Sequence, residues 1–319
     1  MKLTFEQIKS ITVGSVNTRE QDGGIHFAKC TDKQISEWKN KSQQLGTNSS
    51  TTTGVRLDFH TNSQNIAVRV LAGAKYEIKI DGLLRRQFIT ESGEVISLAL
   101  CDELGGKKDE YRVTVVLPSH GVPGAIEYVE LDDDAYVKPH SFDMKMLFIG
   151  DSITQGWNSV YDCNSYTYRV SDFFNAESVM QGVGGAYFHK ASFDRIDFDP
   201  DVVFMAYGTN DFSHFKTYEE LRECASAHME LVAKEYRGKK LFYISPIWRE
   251  RREGKAMGSF EGCRQVLIEC AEKYGFEHID GLTLVPSCPE LFQDEYLHPN
   301  DLGFSFYSEN LIRYLIGRI

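Results

Sequence analysis

Four separated stretches carry residue types that together could transfer an acyl group. The first is Leu147-Phe-Ile-Gly-Asp-Ser152, in which an apolar run ends at Gly150 and gives way at once to polar residues. A short apolar run ending in glycine reads as a buried strand leaving its sheet. Ser152 would then stand at the C-terminal edge of an α/β sheet, where such sheets place their ligands. A serine nucleophile also needs a base, a group that orients the base, and donors aimed where the carbonyl oxygen gains charge. His298, in Asp294-Glu-Tyr-Leu-His298-Pro299, is the candidate base. On a helical turn, residues three or four apart face one another, so Glu295 or Asp294 would accept the imidazole N–H. That bond would fix the tautomer and stabilise the imidazolium. Donors are available in Gln181-Gly-Val-Gly-Gly-Ala186, whose glycines let backbone N–H groups approach a ligand. They are also available in Gly208-Thr-Asn-Asp211, where Asn210 offers a side-chain amide.

Each stretch has a plainer use taken alone. Asp151 or Ser152 could simply cap a helix, and Gly208 to Asp211 has the composition of a turn. Gly182 and Gly184 begin a dinucleotide-binding pattern, but its third glycine would fall at Tyr187, so that reading fails.

The elements that would position these loops are legible as two domains, 1–140 and 141–319. The first is β-rich, with alternating strands at 54–60, 65–71 and 75–80, the last running into the hairpin turn Asp81-Gly82. Further strands at 95–100, 111–117 and 126–131 suggest a β-sandwich of the jelly-roll sort. From Lys145 the rhythm becomes strand then helix, with strands near 146–149, 178–180, 202–207, 241–244 and 276–279. Leu221, Cys224, Ala225, His228 and Val232 share one helical face, as do Phe260, Cys263, Leu267, Cys270 and Tyr274. A closing helix spans about 301–316. This pattern predicts a five-stranded parallel sheet with helices on both faces. In such a sheet all the strand ends named above lie on one edge, so their loops can converge.

Composition narrows the function. With 42% hydrophobic and 12% aromatic residues the chain can build real cores. The net charge is −11, and residues 141–319 hold 18 Lys and Arg against 27 Asp and Glu, so the half carrying Ser152 would repel a polyanion. Nucleic acid and acidic membranes are set aside as partners on that ground. The seven cysteines form no C-x-x-C pair, which suits reduced, mostly buried thiols. The N-terminal residues show no secretion pattern, and a cytoplasmic protein is the expectation. Oligomeric state is not readable.

The ordered set Gly150-Asp-Ser-Ile153, Gly182-Val-Gly-Gly185, Gly208-Thr-Asn-Asp211 and His298-Pro299 resembles the SGNH (GDSL-type) hydrolases, whose four blocks supply Ser, Gly, Asn and His in that order. The resemblance covers roughly 145–316 and implies a three-layer α/β/α domain. It implies Ser152 as nucleophile, His298 as base, and an oxyanion hole formed by the N–H groups of Ser152 and Gly185 with the Asn210 side chain. The family's acid lies three residues before the histidine, which ranks Glu295 first and Asp294 second; a backbone carbonyl serves instead in some relatives. Ile153 replaces the usual Leu, and Gln181 stands near where the second block often has Asn.

A β-sandwich before such a domain resembles two-domain carbohydrate esterases. The expectation is therefore a serine esterase acting on a small acyl ester, O-acetyl on a carbohydrate above all, with Trp157 and Trp248 as a stacking wall. Arg249, Arg251 and Arg252 read as a solvated loop. The chemistry calls for no metal or organic cofactor. Two alternatives are a lysophospholipase or thioesterase using longer acyl chains, and a non-catalytic carbohydrate-binding protein.

Overall fold

The computed structural model describes residues 1–253 and 255–319. Helix α1 (Phe5–Ser10) and strands β1 (Thr12–Val13), β2 (Asn17–Gln21) and β3 (Gly24–Ala28) come first, followed by helices α2 (Asp32–Lys41) and α3 (Gln43–Ser50). Then come β4 (Arg56–Thr61), β5 (Asn65–Val70), β6 (Lys75–Ile80), β7 (Leu83–Ile89), β8 (Val95–Ala99), β9 (Tyr111–Val116), β10 (Ala125–Leu131) and β11 (Lys138–Pro139). They form two antiparallel sheets, ordered β1-β4-β9-β6-β7, with β11 also paired to β4, and β2-β3-β10-β5-β8. Alternate residues of both sheets, among them Leu57, Phe59, Val113 and Val115 from one and Ile66, Val68, Val129 and Leu131 from the other, meet in a shared core. The β6–β7 hairpin turns at Asp81-Gly82, where both residues take positive φ, +53° and +83°. That is the left-handed pair a two-residue hairpin needs and the reason Asp-Gly marks it in sequence.

The second half supplies β12 (Met144–Gly150), α4 (Ser152–Gln155), α5 (Tyr166–Phe173), β13 (Ala176–Gly182), β14 (Val202–Ala206), α6 (Asp211–His214), α7 (Tyr218–Glu235), β15 (Lys240–Ile244), α8 (Phe260–Lys273), β16 (Glu277–Ile279) and α9 (Asp301–Leu315). The strands pair in parallel in the order β13-β12-β14-β15-β16. Side chains alternate across each strand. Leu147 and Ile149 of β12 therefore join a core with Trp38 of α2 and with α7 and α8, while Met146 and Phe148 join one with α5 and α9. Both faces are covered, which explains why β12 reads as an unbroken apolar run. The chain leaves β12 for β13 on one side and then crosses to β14 on the other, so the crevice beyond the strand ends opens at β12. Gly150 is in register with Gly182 of β13 and Ala206 of β14, so the loops after all three strands start at one level.

Helices α2 and α3 were not foreseen from the sequence. Their Thr31 and Ser42 caps are ordinary, but after Gln-Gln-Leu the rest of α3, Gly46-Thr-Asn-Ser-Ser50, is a run of poor helix formers. Tertiary burial holds it: Leu45, Gly46, Asn48 and Ser49 are all buried. All seven cysteines are free, and Cys30, Cys163, Cys263 and Cys270 are buried. Among the described residues no helix is long and apolar enough to cross a membrane.

Candidate active site

Ser152 is the first residue of α4, one step beyond its cap. Asp151 follows the last residue of β12 and its carboxylate accepts the Ile153 N–H at 2.9 Å, which starts the helix immediately after the strand. The short α4 stops at Gly156, whose φ of +79° is left-handed. Burial pushes the Asp151 carboxyl up to about 7, against the pull of the Ile153 N–H.

Ser152 is only 5% exposed, and its Oγ lies 2.8 Å from His298 Nε2. The other ring nitrogen, Nδ1, is 2.6 Å from Asp294 Oδ2. Asp294 Oδ1 meanwhile accepts the backbone N–H groups of Tyr296, Leu297 and His298 at 3.2, 2.8 and 3.0 Å. One carboxylate thus folds the turn with one oxygen and holds the ring with the other. The segment is no helix. Glu295 takes φ +62° in it, the backbone bends there, and Asp294 rather than Glu295 reaches the ring. This reverses the order expected from spacing. The turn is closed by a bridge between Phe292 and Pro299, and Asn300 then caps α9 through the Gly303 N–H. Burial holds the His298 ring below the usual histidine range, although Asp294 pulls it upward. Burial would raise Asp294, but hydrogen bonds from His298 and Leu297 more than offset that and hold it below the usual carboxylate range.

The glycine loop after β13 approaches Ser152 from the next strand. Val183 N–H donates to Gly150 O at 2.9 Å, extending the ladder, and Gly184 N–H donates to Gln155 Oε1 at 2.6 Å. Gly185 is exposed, with φ +87°, a conformation that favours glycine. Among the described residues, the N–H groups of Ser152 and Gly185 have no hydrogen-bond partner. Asn210, at the start of α6, donates one Nδ2 hydrogen to Ala186 O at 2.9 Å and keeps the other unpaired among the described residues. The loops after β12, β13 and β14 are therefore tied to one another around the hydroxyl.

The two tryptophans differ. Trp157 is half-buried beside His298, with ring centres 6.5 Å apart, and its other neighbour is His120 at 5.1 Å, from the loop after β9. Trp248 is half-buried and packs on Phe292, ring centres 4.9 Å apart, against the core under the Asp294 turn. Arg249 is not solvated, contrary to the sequence expectation. It is 5% exposed, donates to Thr209 O at 2.7 Å, and lies over Phe212 and Phe260. One end of its guanidinium, Nη1, is held by Thr209, the residue before Asn210, a long-range fit hidden by the neighbouring exposed arginines. Lys29, Asn48 and Gln155, all buried against the glycine loop, were also missed. The only cue for Gln155 was its place on the turn of α4 after Ser152. Gln181 is buried too, bonded to Gln34 and to Lys29 O.

Residues 148–305 match the GDSL-like Lipase/Acylhydrolase family. No curated protein matches the chain. Among solved structures, the salicylyl-acyltransferase SsfX3 from a tetracycline biosynthetic pathway is 16% identical with a TM-score of 0.81, covering 96% of this chain and 94% of its own. A family two carbohydrate esterase from Clostridium thermocellum, in complex with cellohexaose, is 17% identical with a TM-score of 0.60, covering 83% of this chain and 93% of its own. The acetyl xylan esterase Est2A from the rumen bacterium Butyrivibrio proteoclasticus is 14% identical with a TM-score of 0.60, covering 83% and 90%. At these identities the likeness is one of fold.

Proposed function

We propose that this chain, whose residues 148–305 belong to the GDSL-like lipase/acylhydrolase family, is a serine esterase that removes small acyl groups, O-acetyl above all, from a carbohydrate. The observation that carries the reading is the relay Ser152 Oγ to His298 Nε2 at 2.8 Å and His298 Nδ1 to Asp294 Oδ2 at 2.6 Å. As Ser152 Oγ attacks the ester carbonyl, His298 Nε2 takes its proton, and Asp294 holds the Nδ1–H and balances the imidazolium. The carbonyl oxygen, now negative, is received by the Ser152 and Gly185 N–H groups and the unpaired Asn210 N–H. His298 then gives its proton to the departing sugar hydroxyl. Water, deprotonated by the same ring, releases acetate and restores Ser152. Every group required comes from side chains and backbone of this chain.

The carbohydrate assignment is supported by the fold shared with the two carbohydrate esterases and by Trp157, whose ring can stack on a sugar beside His298. Acetate release from acetylated xylan, with Ser152→Ala as control, tests it. Turnover that disappears in the variant is expected; no release from the wild type, and no hydrolysis of p-nitrophenyl acetate, would overturn it. A strong preference for the octanoate ester would favour the longer-chain reading, and oligosaccharide binding without any hydrolysis would favour a binding protein. A second reading, transfer of the acyl group to a hydroxyl other than water, has one observation in its favour, the likeness to a salicylyl-acyltransferase at TM-score 0.81. Product analysis with added alcohol acceptors separates it from hydrolysis.

A further inference from the structure

The glycine loop is held from outside its own sheet. In a trans peptide the carbonyl of one residue and the N–H of the next share a plane and point to opposite sides. Pinning Gly184 O therefore fixes the direction of the Gly185 N–H. Asn48 of α3 does this: its Nδ2 donates to Gly184 O at 2.8 Å, and the side chain is buried. A Cβ at position 184 would come within 2.8 Å of that Nδ2, so only glycine leaves room for the grip. Two residues earlier, Lys29 Nζ donates to Gly182 O at 2.7 Å and to Thr51 and Thr53 Oγ1 at 2.8 Å each. An ammonium has three hydrogens to donate, and all three are placed on neutral oxygens. Among the described residues no carboxylate pairs with it, and burial pulls its pKa down to about 7. Burying an ammonium without a counter-charge costs stability, and the three oxygens around Lys29 offset part of that cost. Lys29 lies under the loop whose exposed tip is Gly185.

We propose that Asn48 is a positioning residue that aims the Gly185 N–H at the carbonyl oxygen of the ester attacked by Ser152, and that Lys29 is a second positioning residue that anchors the start of the same loop at Gly182 O. The inference rests on the esterase reading, and makes the segment between β3 and β4 part of the working site. Asn48 acts on the Gly185 donor through the peptide that Gly184 O shares with it, and Lys29 anchors the start of the same loop, so both bear on the transition state more than on ground-state binding.

The test is steady-state kinetics on p-nitrophenyl acetate with Asn48→Leu and Lys29→Met, together with the rate of phosphonylation of Ser152, Tm, and the low-field proton signal of the His298–Asp294 hydrogen bond. Loss of a whole oxyanion donor costs on the order of 10²–10³ in kcat, so a donor misaimed rather than removed should cost about 10- to 100-fold. We expect kcat to fall by that factor with KM within about twofold, phosphonylation to slow in parallel, and the low-field signal to persist. Folded variants with kcat within about threefold of wild type would overturn the proposal, as would a loss confined to Tm. If Lys29→Met does not fold, Asn48→Leu alone decides. A wild type that neither turns over nor reacts with the phosphonate would instead bring down the esterase reading.

Discussion

Replacing Asp294 by Asn exchanges one carboxylate oxygen for an NH₂ group, which removes the charge and changes the shape very little. Asp294 Oδ1 sits in a fork of three backbone N–H donors, at 3.2, 2.8 and 3.0 Å, so the amide must place its oxygen there. Its NH₂ is then forced to face His298 Nδ1, across a contact of 2.6 Å in the native protein. A donor in that position makes Nδ1 an acceptor and moves the ring proton to Nε2, which faces Ser152 Oγ at 2.8 Å. A protonated Nε2 cannot accept the serine hydrogen, and the counter-charge of the imidazolium is gone as well. The wrong tautomer in a triad lowers kcat by about 10⁴, or about 5.5 kcal/mol of barrier. Glu295→Gln, one residue away on a backbone turned at φ +62°, should change kcat by less than about twofold. The assay is p-nitrophenyl acetate hydrolysis against pH. In the wild type, kcat/KM should rise with pH through a midpoint below the ordinary histidine value of 6.5, because burial outweighs Asp294. Asp294→Asn within about tenfold of wild type, or a large loss in Glu295→Gln, would refute the reasoning.

Asn210→Ala should lower kcat by about 10²–10³ while Tm stays within a few degrees; near-normal turnover would remove Asn210 from the site. Asp151 gives a stability prediction with a definite sign. Its folded pKa, about 7, lies above the ordinary 3.8, so between those values the folded protein holds a proton the unfolded chain has lost. Its contribution is therefore full at low pH and lost as pH rises towards 7. Asp151→Asn keeps an oxygen for the Ile153 N–H and removes that dependence, so its Tm advantage over wild type should grow from about pH 4 to about pH 8. An advantage that shrinks over this range would contradict the assignment. Trp157→Ala should raise KM for an acetylated oligosaccharide several-fold more than for p-nitrophenyl acetate; equal effects on both would deny it a sugar-stacking role.

Much of the fold was legible because its determinants are local. The apolar run into Gly150 marks a doubly covered strand, and Asp81-Gly82 marks a turn that needs two left-handed residues. The alternation of strand and helix after Lys145 fixed the parallel sheet, and parallel strands place their following loops on one edge, so the convergence of the loops at Ser152 and Asn210 followed. What escaped depends on distant partners or on backbone that spacing does not encode. A helical turn before His298 would have brought Glu295 or Asp294 to the ring, but the real turn is wound around the Asp294 carboxylate and needs Glu295 left-handed. Helix α3 has little intrinsic propensity and exists because Leu45 and Asn48 are buried against the glycine loop. Arg249 looked like its solvated neighbours until Thr209, Phe212 and Phe260 were found around it.

The central claim is that Ser152 attacks a carbonyl whose oxygen falls among three aligned donors. A crystal structure of the protein after reaction with a serine-directed phosphonate tests this most directly. The account predicts phosphorus bonded to Ser152 Oγ, with its oxygen about 2.7–3.1 Å from the N–H groups of Ser152 and Gly185 and from Asn210 Nδ2. An adduct whose oxygen points to solvent, or a Ser152 that remains unmodified, would contradict it.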